Sequence, residues 1–209
     1  MNEIEKGLSP DITLVCKLDR EGKITFVNQE YKEITGYTEG EIIGQSHELL
    51  QHPKLPKVVT DRVWELVHAN KHNYFVSKNI TKNREFFWTV ADINPMLHKG
   101  WKTAIFIRRK FLPFDVRSEF EKLYNTLYEI ETQGGGDRVA KKYFQGWLED
   151  RSSQTLSDYI VKLFGGEDKL KKYLTSEIPD DELFTVDASE LPLDEILKKV
   201  SKKKRRFFF

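Results

Sequence analysis

A single cysteine in 209 residues rules out an internal disulfide, and Cys16 lies in an alternating apolar run where a small core side chain is expected. A reduced, cytoplasmic setting fits that usage. No apolar run approaches the roughly 18 residues that cross a bilayer. The opening MNEIEKGLSP has no apolar signal segment, so export is not expected. Catalytic signatures are also missing. There is no nucleophile elbow and no kinase or cyclase motif, and Gly134-Gly135-Gly136 is followed by neither the lysine nor the hydroxyl residue of a phosphate loop. These glycines read as a hinge, and the chain reads as a non-enzyme whose output passes to another protein. Acid is absent from residues 198–209, KKVSKKKRRFFF, which leaves the rest of a chain of net charge +1 mildly acidic. Nucleic acid is therefore not an expected partner of the body.

What is present is a strict order of small signals. Ile12, Leu14, Cys16 and Leu18 alternate with Thr13, Val15 and Lys17, the period of a half-buried strand. Asp19-Arg-Glu-Gly22 is a turn, and residues 23–27 return as a second strand. Asn28 is placed to cap a helix bearing Tyr31 and Ile34, Gly36 stops it, and Thr38 with Glu41 matches a capping box before Gly44. A longer helix over 58–69 carries Val59, Val63, Leu66 and Val67 in one stripe. Three strands follow over 73–81, 85–96 and 101–110, with turns at Lys82-Asn83 and His98-Lys-Gly100. The pattern is α+β: a five-stranded antiparallel sheet with helices on one face and a second face needing a partner. Helices are then expected over 113–131, 138–149 and 155–163, a further break at Gly165-Gly166, and an acidic, proline-containing linker over 175–192.

The spacing D-x-x-G-x-I-x-x-x-N, then G-Y-T-x-x-E-I-I-G, resembles the opening of PAS domains. With His52-Pro-Lys-Leu-Pro56, Trp64, Lys78-Asn79, Lys82-Asn83 and Phe87-Trp88, it is similar to the FAD-binding PAS sensor of bacterial aerotaxis and energy-taxis receptors. The resemblance covers residues 8–112, followed by a helical extension over 113–174 and the linker and basic-aromatic tail over 175–209. It implies a flavin pocket. Carried over singly, Asn28, His52, Trp64, Asn79 and Trp88 match positions that bind the cofactor. Departures occur at Gln51, where the family usually has arginine, at Lys54, which replaces an aspartate, and at Asn73, which replaces a second tryptophan. Losing the arginine removes a cationic fork suited to phosphate.

Each of these residues also has an ordinary role: Asn28 as an N-cap, Trp64 and Trp88 as core. Asn79 is less easily explained, because asparagine is depleted in strands. Haem is an alternative ligand, with His52 or His68 as the iron ligand. The implied function is a cytoplasmic redox or energy sensor that signals to a membrane-bound chemotaxis transducer; a ligand-free interaction module, including a homodimer, is the rival. Residues 8–112 are expected to fold without the helices that carry the signal outward. Seven basic residues and three terminal phenylalanines in 198–209 suit an anionic membrane surface.

Overall fold

The computed structural model describes residues 4–175. The tail and nearly all of the linker expected from the sequence lie outside the described residues. Strand β1 (Thr13–Leu18) turns through Asp19, whose Oδ1 accepts from the N–H groups of Glu21 and Lys23, into β2 (Ile24–Val27). Asn28 caps α1 (Gln29–Thr35), and Gly36, at φ +76°, closes it in the left-handed conformation that a side chain resists. In α2 (Glu39–Ile42) the Glu41 carboxylate accepts from both the N–H and the hydroxyl of Thr38 at 3.0 Å, the capping pair expected from the sequence. A 3-10 turn (His47–Leu50) and α3 (Lys57–His68) complete this group of helices. Then come β3 (Asn73–Ile80), β4 (Phe86–His98) and β5 (Trp101–Phe111).

The five strands form one antiparallel sheet in the order β2-β1-β5-β4-β3. Alternation assigns its two faces. Cys16, Phe75, Phe87, Ile93, Ile105 and Ile107 point to the inner face beneath α1–α3, whereas Val76, Trp88 and Lys110 point to the outer one.

That outer face is covered by the chain itself. Helix α4 (Phe114–Thr132) lays Phe120, Leu123, Tyr124 and Leu127 into the core. Next are α5 (Gly136–Glu149), α6 (Leu156–Leu163) and α7 (Glu167–Thr175). The breaks expected at Gly134–Gly136 and Gly165-Gly166 separate these helices. Helix α6 packs along β3, and the Tyr173 hydroxyl of α7 donates to the Phe111 carbonyl at 2.6 Å. An aromatic cluster of Phe120, Trp147 and Tyr159 joins α4, α5 and α6, with the Arg151 guanidinium 3.8 Å above Trp147. The described residues thus form one packed unit. No helix of the described residues is long and apolar enough to cross a membrane.

The outer edge of β3 is an exposed row of backbone groups that a soluble sheet must cover. Three elements share it. The Tyr74 N–H donates to Ser157 Oγ of α6 at 3.0 Å, and the Val76 carbonyl accepts from the Tyr124 hydroxyl of α4 at 2.6 Å. The Lys78 carbonyl accepts from the His52 N–H at 3.2 Å.

Candidate functional site

Between the inner face of the sheet and the helical wall lies a cavity of about 40 Å³. Phe75, Ser77 and Asn79 of β3, Ile93 of β4, and Ile107 and Arg109 of β5 form its floor. His47, Leu50, Gln51 and Leu55, with Thr60, Val63 and Trp64 of α3, form the opposite wall. The His47 and Trp64 rings stand 4.0 Å apart and half-buried, so they close one side.

Two of the five residues singled out from the sequence line this cavity, Trp64 and Asn79. Asn79 is held by neighbours on the same face. Its Nδ2 donates to Ser77 Oγ and to Thr89 Oγ1, each at 3.1 Å. The other three sit elsewhere, for identifiable reasons. The Asn28 amide is committed to the fold: Oδ1 accepts from the Val15 and Tyr31 N–H groups, and Nδ2 donates to the Thr13 carbonyl at 2.9 Å. His52 is buried beside the β3 edge, where its Nδ1 accepts from the Lys54 N–H and its ring meets Phe86 edge-on. Trp88 has the opposite strand parity and packs under Tyr124 and Arg117 on the outer face.

Among the cavity residues that were not site candidates from the sequence, His47 and Arg109 carry buried nitrogens without a partner. His47 Nδ1 lies 3.2 Å from the Gly22 carbonyl; because a carbonyl only accepts, Nδ1 carries the proton and Nε2 keeps its lone pair. Gly22 sits at φ +83°, and a Cβ there would lie 3.2 Å from His47 Nδ1, so glycine permits both the turn and the close ring. His47 Nε2 is buried and has no hydrogen-bond partner in the structure. Arg109 is the second residue. Its Nη1 donates to Cys16 Sγ at 3.2 Å, and its buried Nε is likewise without a partner.

Burial pushes the His47 imidazole down to about 4, and the Arg109 charge adds to this against the Gly22 hydrogen bond. Below the unfolded value of 6.5 the unfolded chain therefore binds a proton that the folded one refuses. The stability His47 contributes is complete above about pH 6.5 and lost as pH falls toward 4, on the order of 2 kcal/mol. Urea midpoints at pH 7 and pH 4.5 should fall further for the parent than for His47→Gln; superimposable losses would remove His47 as the responsible group.

Metal chemistry has little to work with. His68 and His72 stand four residues apart, but α3 ends at His68 and His72 pairs with Asp92. Among the described residues no group of three or more His, Cys, Asp or Glu is placed to hold a metal ion.

The donor set suits the imide edge of an isoalloxazine, which presents carbonyl acceptors on either side of an N–H donor. An unpartnered acceptor at His47, an unpartnered Nε at Arg109, the amide of Gln51, and walls at Trp64 and Phe75 meet that pattern. The volume does not suit it as it stands, because ring-sized ligands occupy cavities of roughly 300 Å³ or more. Entry of such a ring requires the His47–Trp64 wall to move.

The chain is 31% identical over 143 residues to the aerotaxis receptor of Escherichia coli (strain K12), covering 68% of this chain and 28% of the receptor. It is 26% identical over 140 residues to phototropin-2 of Oryza sativa subsp. japonica, covering 61% of this chain and 15% of that one. It therefore spans less than a third of either relative. Among solved structures, a light-oxygen-voltage domain matches with a TM-score of 0.49 at 19% identity, over 53% of this chain and 84% of that one. The model of the PAS fold matches residues 11–109, which take in all five strands and the wall of the cavity, and these residues form a PAS domain.

Proposed function

We propose that the cavity takes up the ring of a flavin, FAD, and that the domain is a cytoplasmic redox or energy sensor that reports to a separate chemotaxis transducer. The observation that carries this reading is the pair of unpartnered polar groups, His47 Nε2 and Arg109 Nε, on one apolar-walled cavity. Similarity to the aerotaxis receptor supports it. A bound flavin supplies reversible electron uptake.

The chain's own residues supply the rest. Trp64 and Phe75 offer the walls, His47 an acceptor, and Arg109 a donor. Trp64 stands on α3, whose N-cap is Pro56 and offers no side-chain acceptor. Glu131 of α4 fills that role, accepting from the Lys57 and Val58 N–H groups at 2.9 and 2.8 Å. A displacement of the cavity wall therefore reaches α4 through Glu131, and reaches α4 and α6 again along the β3 edge, where His52, Tyr124 and Ser157 are attached. Residues 198–209, on the same reading, hold the sensor near an anionic membrane.

The closed state of the cavity favours one rival, a ligand-free docking module. The haem alternative rests on His52 and His68, neither of which lines the cavity. The visible spectrum of protein purified gently from cells separates the three: flavin bands released on denaturation are expected, while a Soret band or a colourless protein that ignores added FAD overturns the proposal. The relay has its own check. Glu131→Gln should cost about 1 kcal/mol and uncouple flavin binding from amide exchange in α4. Exchange that responds equally in parent and variant would locate the relay elsewhere.

A further inference from the structure

Arg109 differs from the two basic residues beside it on β5. Its neighbour Arg108 has the opposite parity and pairs with Asp92 at 3.5 Å. Lys110, also on the outer face, lies over the Tyr173 ring at 5.5 Å. Arg109 alone of the three turns inward, opposite Leu14 on one side and Ala91 on the other. The groups that act on its charge are the Cys16 thiol and the Tyr31 phenol rather than a carboxylate. A guanidinium has five N–H donors, yet this one meets a sulfur at 3.2 Å and leaves its buried Nε without a partner. Holding a half-buried charge with no carboxylate beside it is costly, and an anionic ligand edge would offset that cost. The cavity that Arg109 faces also contains Gln51, which is uncharged.

We infer that Arg109 makes this cavity select a ligand whose buried edge is negatively charged, so that flavin is held more tightly reduced than oxidised. The inference rests on the flavin reading above and adds to it the sign of the site's preference. Two electrons and one proton taken from an external reductant leave the isoalloxazine one unit more negative. That charge is spread over the pyrimidine edge, where a fixed cation lowers its energy. His47 reinforces the preference by staying neutral and accepting a hydrogen bond, so the site's one cation is directed at the ligand.

The test uses the whole chain, FAD as the probe, and dithionite as the reductant under anaerobic conditions. Affinities for oxidised FAD come from equilibrium dialysis, and midpoint potentials from reference dyes. Arg109→Gln should weaken binding of the reduced form about tenfold more than that of the oxidised form. For a two-electron couple this is a fall in midpoint potential of about 30 mV. Arg109→Lys, which keeps the charge, should restore most of it. A parent that binds FAD but whose potential is unmoved in Arg109→Gln overturns the inference and leaves the flavin reading standing. A parent that binds FAD in neither redox state overturns both. A readout without flavin guards against a merely structural role. Arg109→Met should hold or raise the melting temperature of the ligand-free chain, because it removes a half-buried charge that no carboxylate pairs. A large fall would make Arg109 a structural residue and overturn the inference.

Discussion

Alanine at position 88 is expected to cost the fold about 3–5 kcal/mol, the range for truncating a buried aromatic. Trp88 is 2% exposed, with its ring 5.7 Å from Tyr124 and the Arg117 guanidinium 5.8 Å from it. It is a contact through which α4 grips the outer face. The urea midpoint of Trp88→Ala should fall steeply, Trp88→Phe should recover much of the loss, and FAD affinity of the folded fraction should change less than threefold. Resemblance alone makes Trp88 a cofactor contact, and that role requires the reverse: lost affinity with stability intact. Trp64→Ala is the natural comparison, since Trp64 lies on the cavity wall.

A chain ending at Leu112 is expected not to fold as a soluble monomer. It would uncover Val76, Trp88 and Val90 and lose Phe120, Leu123, Tyr124 and Leu127 of α4, all buried in the intact chain. Four such side chains at roughly 1.5–3 kcal/mol each come to about 6–12 kcal/mol, comparable with the whole stability of an ordinary domain. The truncated β3 edge would also lose the Tyr124 and Ser157 contacts. The sequence argues for independent folding of residues 8–112, but the packing of the outer face argues against it. Size-exclusion chromatography and thermal melting decide: aggregation or a non-cooperative melt is expected, and a monomer melting within a few degrees of the intact chain would contradict it.

The succession of strands and helices along the chain, the helix starts and stops, and the α+β class were legible because each is written locally: alternation in residues 12–18, the Asn28 and Thr38 caps, the Gly36 stop, and the turn at His98–Gly100. The composition of the cavity was less so. Trp64 and Trp88 look alike in sequence, and only the packing of the sheet against α3 on one side and α4 on the other separates their roles. Arg109 stands between Arg108 and Lys110 in the strand expected over 101–110, and its charge does not set it apart from them. Its signal was parity with Ile105 and Ile107, which places it on the inner face. His47 lies five residues before the more recognisable His52, and its position depends on Gly22, distant in sequence and close in the fold. Coverage of the outer sheet face by α4–α7 depends on long-range pairing of apolar stripes, which no local pattern encodes.

Equilibrium dialysis of the 209-residue chain against FAD tests the central claim most directly. One FAD retained per chain, with its fluorescence altered by the Trp64 wall and its affinity reduced in Trp64→Ala, is the result predicted. Equal FAD concentrations on both sides of the membrane, from protein whose cooperative melting shows it folded, would contradict the claim and leave the domain as a ligand-free docking module.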